Sequence, residues 1–184
     1  MKIRRLVFLV MLFTLSPVIT QAQVAPATTG GGGNFKLALG AGFSPFKTDY
    51  LPQWMYGVSA YWDLDFRRWL GVEVEGRTVQ WNTIGNIRED TIGGGPRVRI
   101  AHIGRFVPYA KVITGIGSID FKAPPSAPHY THDTFFYWAI GGGSDYRLTQ
   151  HVYLRGEYQY QWWDEWPPRG LNPRGFTIGA NYRF

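Results

Sequence analysis

The stretch HYTHD places His129, His132 and Asp133 within five residues of one another, side chains of the kind that ligate transition metals. A closed metal site takes four such ligands, and no fourth partner stands at ligand spacing, so no metal centre and no cofactor are expected. The four histidines, His102, His129, His132 and His151, could also serve as the base of an acyl-transfer or hydrolytic site. That chemistry needs a nucleophile such as serine within reach, and none of the four has a serine beside it in a recognisable motif. The glycines of APATTGGGGN, 25–34, are not followed by Gly-Lys-Ser/Thr, which excludes a phosphate-binding loop and leaves a flexible leader.

What remains is charge, and its spacing is regular. Glu73 and Glu75, Arg97 and Arg99, Arg155 and Glu157 recur at every second position, with Lys111 and Asp145 in similar surroundings. Successive side chains of a strand point to opposite faces, so each such pair shares one face. On the other face lie Leu70, Val72 and Val74, then Val98 and Ile100, Val112, Trp138 and Ile140, and Val152, Leu154, Tyr158, Tyr160 and Trp162. No charge falls on the apolar face in the middle of any strand. A soluble barrel would turn its apolar face inward and its charge to water, because buried charges must be paired. Here the chemistry-bearing residues form the lining of a small lumen, either a structural ion-pair cluster or a path for protons or ions.

The elements that hold them are strands. From Phe35 onward the pattern has period two, with eight runs at about 35–43, 55–66, 69–81, 91–102, 106–118, 135–147, 151–163 and 175–184. The connections after the second, fourth and sixth runs are tight. The other four, SPFKTDYLPQW, NTIGNIRED, DFKAPPSAPHYTHDT and DEWPPRGLNPR, are long and polar. Short turns at one end and long loops at the other is the threading of an outer-membrane barrel, with its loops outside the cell. Aromatic residues gather at both ends, Trp54, Tyr56, Trp81, Phe136, Trp138 and Trp162 toward the loops and Phe35, Phe66, Trp69, Phe106, Tyr146, Tyr182 and Phe184 toward the turns. Two interfacial girdles follow. Counting back from a second loop centred near Asn86 sets Glu75 opposite Arg97 and Glu73 opposite Arg99. The glycine triplets at 93–95 and 141–143 read as bends or as room for large lumen neighbours.

The N-terminus agrees with export. Lys2, Arg4 and Arg5 precede an apolar run from Leu6 to Leu15 that breaks at Ser16-Pro17, and Ala22 offers a cleavage site, so 1–22 is expected to be a signal peptide and 23–34 the leader. Removing those three cations leaves 16 Lys and Arg against 13 Asp and Glu, too small an excess to suggest nucleic acid as a partner. With no cysteine there is neither a disulfide framework nor a lipid-modified N-terminal cysteine.

The closing TIGANYRF fits the pattern polar-x-Gly-x-x-aromatic-x-aromatic with Thr177, Gly179, Tyr182 and Phe184. It resembles the assembly signal of bacterial outer-membrane barrels. Together with RFVPYAKVITGIG and AIGGGSDYRLTQHVYLRGEYQYQ, it makes 35–184 similar to the small eight-stranded, OmpA-like barrel domains. The resemblance implies an all-β, antiparallel up-and-down transmembrane barrel in the outer membrane, surrounded by lipid and lipopolysaccharide. It also implies that the barrel-assembly machinery reads the last strand by β-augmentation. Since the sequence closes with that strand, no periplasmic peptidoglycan-binding domain and no wall anchoring are expected. The expected function is non-enzymatic, an envelope-structural or adhesive role through four extracellular loops and an unidentified surface ligand. The alternative is a lipid A-modifying enzyme, for which similar scaffolds exist.

Overall fold

The computed structural model describes residues 35–49, 53–81, 87–120, 132–165 and 170–184. Eight strands run in chain order: β1 Lys36–Lys47, β2 Trp54–Asp65, β3 Leu70–Trp81, β4 Ile87–Arg99, β5 Phe106–Asp120, β6 His132–Arg147, β7 Val152–Trp162 and β8 Arg174–Arg183. Each pairs antiparallel with the next, and β8 pairs with β1 to close the barrel. Among the described residues no helix is long and apolar enough to cross a membrane, and the strands do the crossing. The expected signal peptide and leader lie outside the described residues.

Alternation is what turns this ring into a two-faced wall. In β3, Glu73, Glu75, Arg77 and Val79 are buried inside the ring while Val74 faces out. In β7 the inward set is Tyr153, Arg155, Glu157, Gln159 and Gln161, and Leu154 and Tyr158 face out. Away from the loop ends the outward set is mainly apolar and exposed, including Val58, Ile92, Val112, Ile116, Ile140 and Ile178. Such a surface is stable in hydrocarbon and would aggregate in water.

The tight turns stand where the sequence placed them. Arg67 and Phe66 donate their amides to the carbonyl of Leu70, Leu148 and Thr149 donate theirs to Val152, and Gly104 takes φ 63° in the turn that brings Ile103 against Phe106. The long-loop ends differ from expectation. β1 runs on to Lys47: Pro45, which cannot donate an amide, sits on the outer face opposite Tyr56 in an unbroken β1–β2 ladder, while the β1–β8 ladder skips Ser44 and Pro45 and resumes at Phe46. β4 starts at Ile87, inside what reads as a polar loop. There Ile87 and Glu89 point inward, while Arg88 and Asp90 pair at 2.7 Å on the outer face.

This earlier start moves the second hairpin's register. Trp81 pairs with Ile87, so Glu75 stands opposite Gly93 and Glu73 opposite Gly95, not opposite Arg97 and Arg99 as the count from Asn86 had it. Arg97 instead pairs in the ladder with Gly71. The girdle assignment holds for Trp54, Tyr56, Phe136 and Trp138 at the loop end and for Phe35, Phe66, Trp69, Phe106, Tyr182 and Phe184 at the turn end, all on the exposed outer face. Trp162 stacks on Trp138 at 4.1 Å. Trp81 is a correction: it shares the inward parity of Val79 and packs against the interior.

Candidate functional site

The inward residues sort into two tiers along the barrel axis. The tier toward the turns is ionic. It receives Asp63 and Asp65 from β2, Glu73, Glu75 and Arg77 from β3, Arg97 and Arg99 from β4, Lys111 from β5, Asp145 from β6, Arg155 and Glu157 from β7, and Arg183 from β8. Two cations act as hubs. The Arg155 guanidinium reaches Asp63 at 2.5 Å, Asp145 at 2.9 Å and Glu73 at 3.0 Å, and lies over the ring of Tyr61 at 4.0 Å. Lys111 Nζ is 2.5 Å from Glu73 Oε1, 2.5 Å from Glu75 Oε2 and 2.7 Å from Glu157 Oε1.

Neutral donors and rings finish the network. Arg97 bridges Asp63 at 3.0 Å and Asp145 at 2.6 Å and rests on the Tyr109 ring at 3.9 Å. The Tyr109 hydroxyl donates to Glu157, and Gln159 donates to Glu75 at 2.7 Å. Arg99 pairs with Asp65 near the turn end. Charges taken out of water cost several kcal/mol each, and only such multiple pairing returns that energy. The oxygens of Glu73, Glu75 and Glu157 converge within 4.8 Å, a spacing that could hold a metal ion, and the Lys111 ammonium occupies their common centre.

The tier toward the loops is mostly apolar, with Glu89 as a buried carboxylate near its loop end and the Arg77 guanidinium 4.0 Å over the Phe46 ring. Phe46, Met55, Val79, Ile113, Tyr137 and Trp163 are buried there in one cluster. Trp163 is fully buried, stacks on Tyr137 at 5.9 Å, and donates its indole N–H to Gln161 at 2.9 Å. A Cβ on Gly117 would fall inside the Trp163 ring, so this strand position is glycine to admit the indole. Gly93 lies in the same way beneath the Tyr137 hydroxyl, and Gly141 beside the Lys111 stem.

All eight charged residues singled out in the sequence enter the lumen, seven of them in the linked network and Arg99 in its own pair. Arg77 and Arg183 join them, as the alternation of their strands implies, and so do Asp63 and Asp65, whose spacing behind Tyr61 carried the same every-second-residue signal. Thr177, Gly179, Tyr182 and Phe184 lie on β8, with Thr177 buried inside and Tyr182 and Phe184 outside in edge contact at 5.0 Å. The Phe184 amide donates to the carbonyl of Leu37, so the last residue takes part in barrel closure. His129 lies outside the described residues, and His132 and Asp133 stand at the start of β6. His151 sits at the turn end with Nδ1 2.9 Å from the Arg183 carbonyl and its ring stacked on Tyr182, and His102 is exposed in a turn.

The model of the outer membrane protein beta-barrel domain matches residues 7–184. The chain belongs to this family. No curated protein matches it by sequence. Among solved structures, neisserial surface protein A is 15% identical, covering 84% of this chain and 99% of its own, with a TM-score of 0.63. Ail of Yersinia pestis is 17% identical over 82% and 99%, with a TM-score of 0.60, and its structure is also known with the heparin analogue sucrose octasulfate bound. OprG of Pseudomonas aeruginosa is 14% identical over 84% and 98%, with a TM-score of 0.56. At these identities the likeness is one of fold. This family member is an outer-membrane barrel of eight antiparallel strands, placed with its long connections outside the cell.

Proposed function

We propose that the protein is a non-enzymatic outer-membrane barrel whose work is done by the surface beyond its long-loop ends, as a binder or adhesin or as a structural part of the envelope, in contact with lipid and lipopolysaccharide. The observation that carries this reading is the filled lumen. Its turn side is closed by paired charges and its loop side by the dry cluster around Trp163, so activity falls to the exterior. Of the histidines, His102 and His151 stand at the turn end, away from the leaflet that holds lipid A, while His132 and Asp133 begin β6 at the loop end.

The sulfated ligand of Ail is not carried over. The connections at 48–53, 82–86, 121–131 and 163–173 hold Lys122 and Arg169 against Asp49, Asp164 and Glu165, which gives no cationic surface for a polyanion. Their aromatic residues, among them Tyr50, Tyr130 and Trp166, suit a neutral glycan or an apolar protein patch better.

Two measurements test this. In planar bilayers the refolded protein is expected to show no discrete conductance steps, and regular steps would replace the filled-lumen reading with a channel. Replacing 121–131 by a short Gly-Ser turn should leave heat-modifiable gel mobility intact while lowering adhesion of expressing cells to immobilised matrix glycoprotein, or raising their detergent sensitivity. If neither changes, or if expression alters the acyl pattern of host lipid A, the proposal fails.

A further inference from the structure

One register row crosses five strands on the outer face. Lys47 of β1 pairs with Arg174 of β8, Arg174 with Tyr160 of β7, Tyr160 with Ile140 of β6, and Ile140 with Val112 of β5. Directly paired residues share a face, and Ile140 and Val112 are exposed, so the whole row looks outward. The row also descends. Lys47 and Arg174 are the loop-end residues of their strands, whereas Val112 stands midway along β5, Phe106–Asp120.

The upper end of the row is electrostatically unfinished. Like charges directly opposite in a ladder repel. Neither Lys47 nor Arg174 has an ion-pair partner among the described residues. Both stand in the loop-side girdle, where Trp54 pairs with Lys47 and stacks on Phe176. The lower end is sterically unfinished. An apolar groove of about 450 Å³ lies along it, with Ala110, Gly141 and Gly142 as its smallest lining residues and Val98, Ile140 and Tyr158 beside them. Another row of small outward residues, Ala180, Ala41, Ala60 and Gly76, crosses β8, β1, β2 and β3, while Ile92, Ile116 and Ile178 fill other parts of the belt.

We propose that this row binds one phosphorylated, multiply acylated glycolipid of the outer leaflet, lipid A, with a phosphate between Lys47 and Arg174 and an acyl chain in the groove over Ala110 and Gly142. The anion removes the repulsion between the two cations, and the chain fills the trough. Three inter-strand steps from Arg174 to Val112 span about 14 Å around the wall, and on strands tilted by about 40° the row drops roughly 9 Å toward the bilayer centre, within the hydrocarbon depth of a single leaflet. The cations lie at the end that faces outside, which selects the outer-leaflet glycolipid over a glycerophospholipid. This site rests on the lipid contact proposed above and is independent of what the loops bind.

The full chain, refolded in detergent and shown to be folded by heat-modifiable mobility, is titrated with purified lipid A and read by native mass spectrometry. The comparison ligands are the same lipid A stripped of phosphate and phosphatidylglycerol. Wild type is expected to retain one lipid A. Lys47→Gln with Arg174→Gln should weaken retention roughly thirtyfold, to the level of the dephosphorylated lipid on wild type. Gly142→Leu and, separately, Ala110→Leu should displace the chain while leaving the fold intact, since a Cβ on Gly142 meets only ordinary contact with the Tyr109 carbonyl at 3.4 Å. Unchanged retention in all folded variants overturns the site, and equal retention of phosphatidylglycerol overturns the choice of glycolipid. Retention of neither lipid by wild type overturns the underlying lipid partnership as well.

Discussion

Lys111→Met is expected to lower the stability of the refolded barrel by ~3–5 kcal/mol, the usual cost of removing one partner from a buried ion pair. The substitution keeps the length of the side chain and removes only its charge. It leaves Glu73, Glu75 and Glu157 facing one another with the ammonium that separated them gone. Adding Glu75→Gln and Glu157→Gln in the same chain should recover most of the loss, because the stranded charges leave with their partner. The check is the urea midpoint of the detergent-refolded protein followed by tryptophan fluorescence. A single variant as stable as wild type would show that Lys111 does not hold the three carboxylates. A triple variant no better than the single would assign the loss to packing of the lysine stem, which touches Gly141.

The second large effect concerns biogenesis. We propose that Thr177, Gly179, Tyr182 and Phe184 form the signal read by the barrel-assembly machinery. Deleting Phe184 removes little from the finished barrel: a side chain 65% exposed, an edge contact with Tyr182 and one backbone bond to Leu37. Refolding of the purified variant into detergent should therefore proceed nearly as in wild type. Insertion in cells should fall by roughly tenfold, the change that about 1.4 kcal/mol of lost recognition produces. Pulse-labelled outer-membrane fractions compared with in vitro refolding yields decide the matter. Equal losses in both would make Phe184 a stabilising residue and nothing more.

The alternation of charge and hydrocarbon was legible in the sequence because period two is local: Glu73, Val74 and Glu75 declare their faces without reference to any other strand. The register of the second hairpin was not. Arg88 and Asp90 read as loop, yet above the hydrocarbon the outer face tolerates charge, and the ladder continues through them. Cross-lumen partners were equally hidden, since Arg155 meets Asp63 across 92 positions of sequence. The dry tier escaped notice for another reason. Ile113 and Trp163 point inward but have the same composition as the lipid-facing set, so hydrophobicity alone could not separate the two faces at the loop end. Trp81 was misassigned on the same ground.

The order of the two tiers also bears on the barrel's journey into the membrane. The loop end must travel through the whole hydrocarbon layer, and the segments behind those loops carry apolar side chains on both faces. Glu89 apart, the dozen ionised groups trail toward the other end. A charge taken to the centre of a bilayer costs ~2.5–3.5 kcal/mol even on the most lenient scale. With their present placement the carboxylates and guanidinium groups enter last, and they stay within reach of periplasmic water until β1 and β8 meet over them. The same residues arranged upside down would make the same finished lumen and a far steeper insertion barrier.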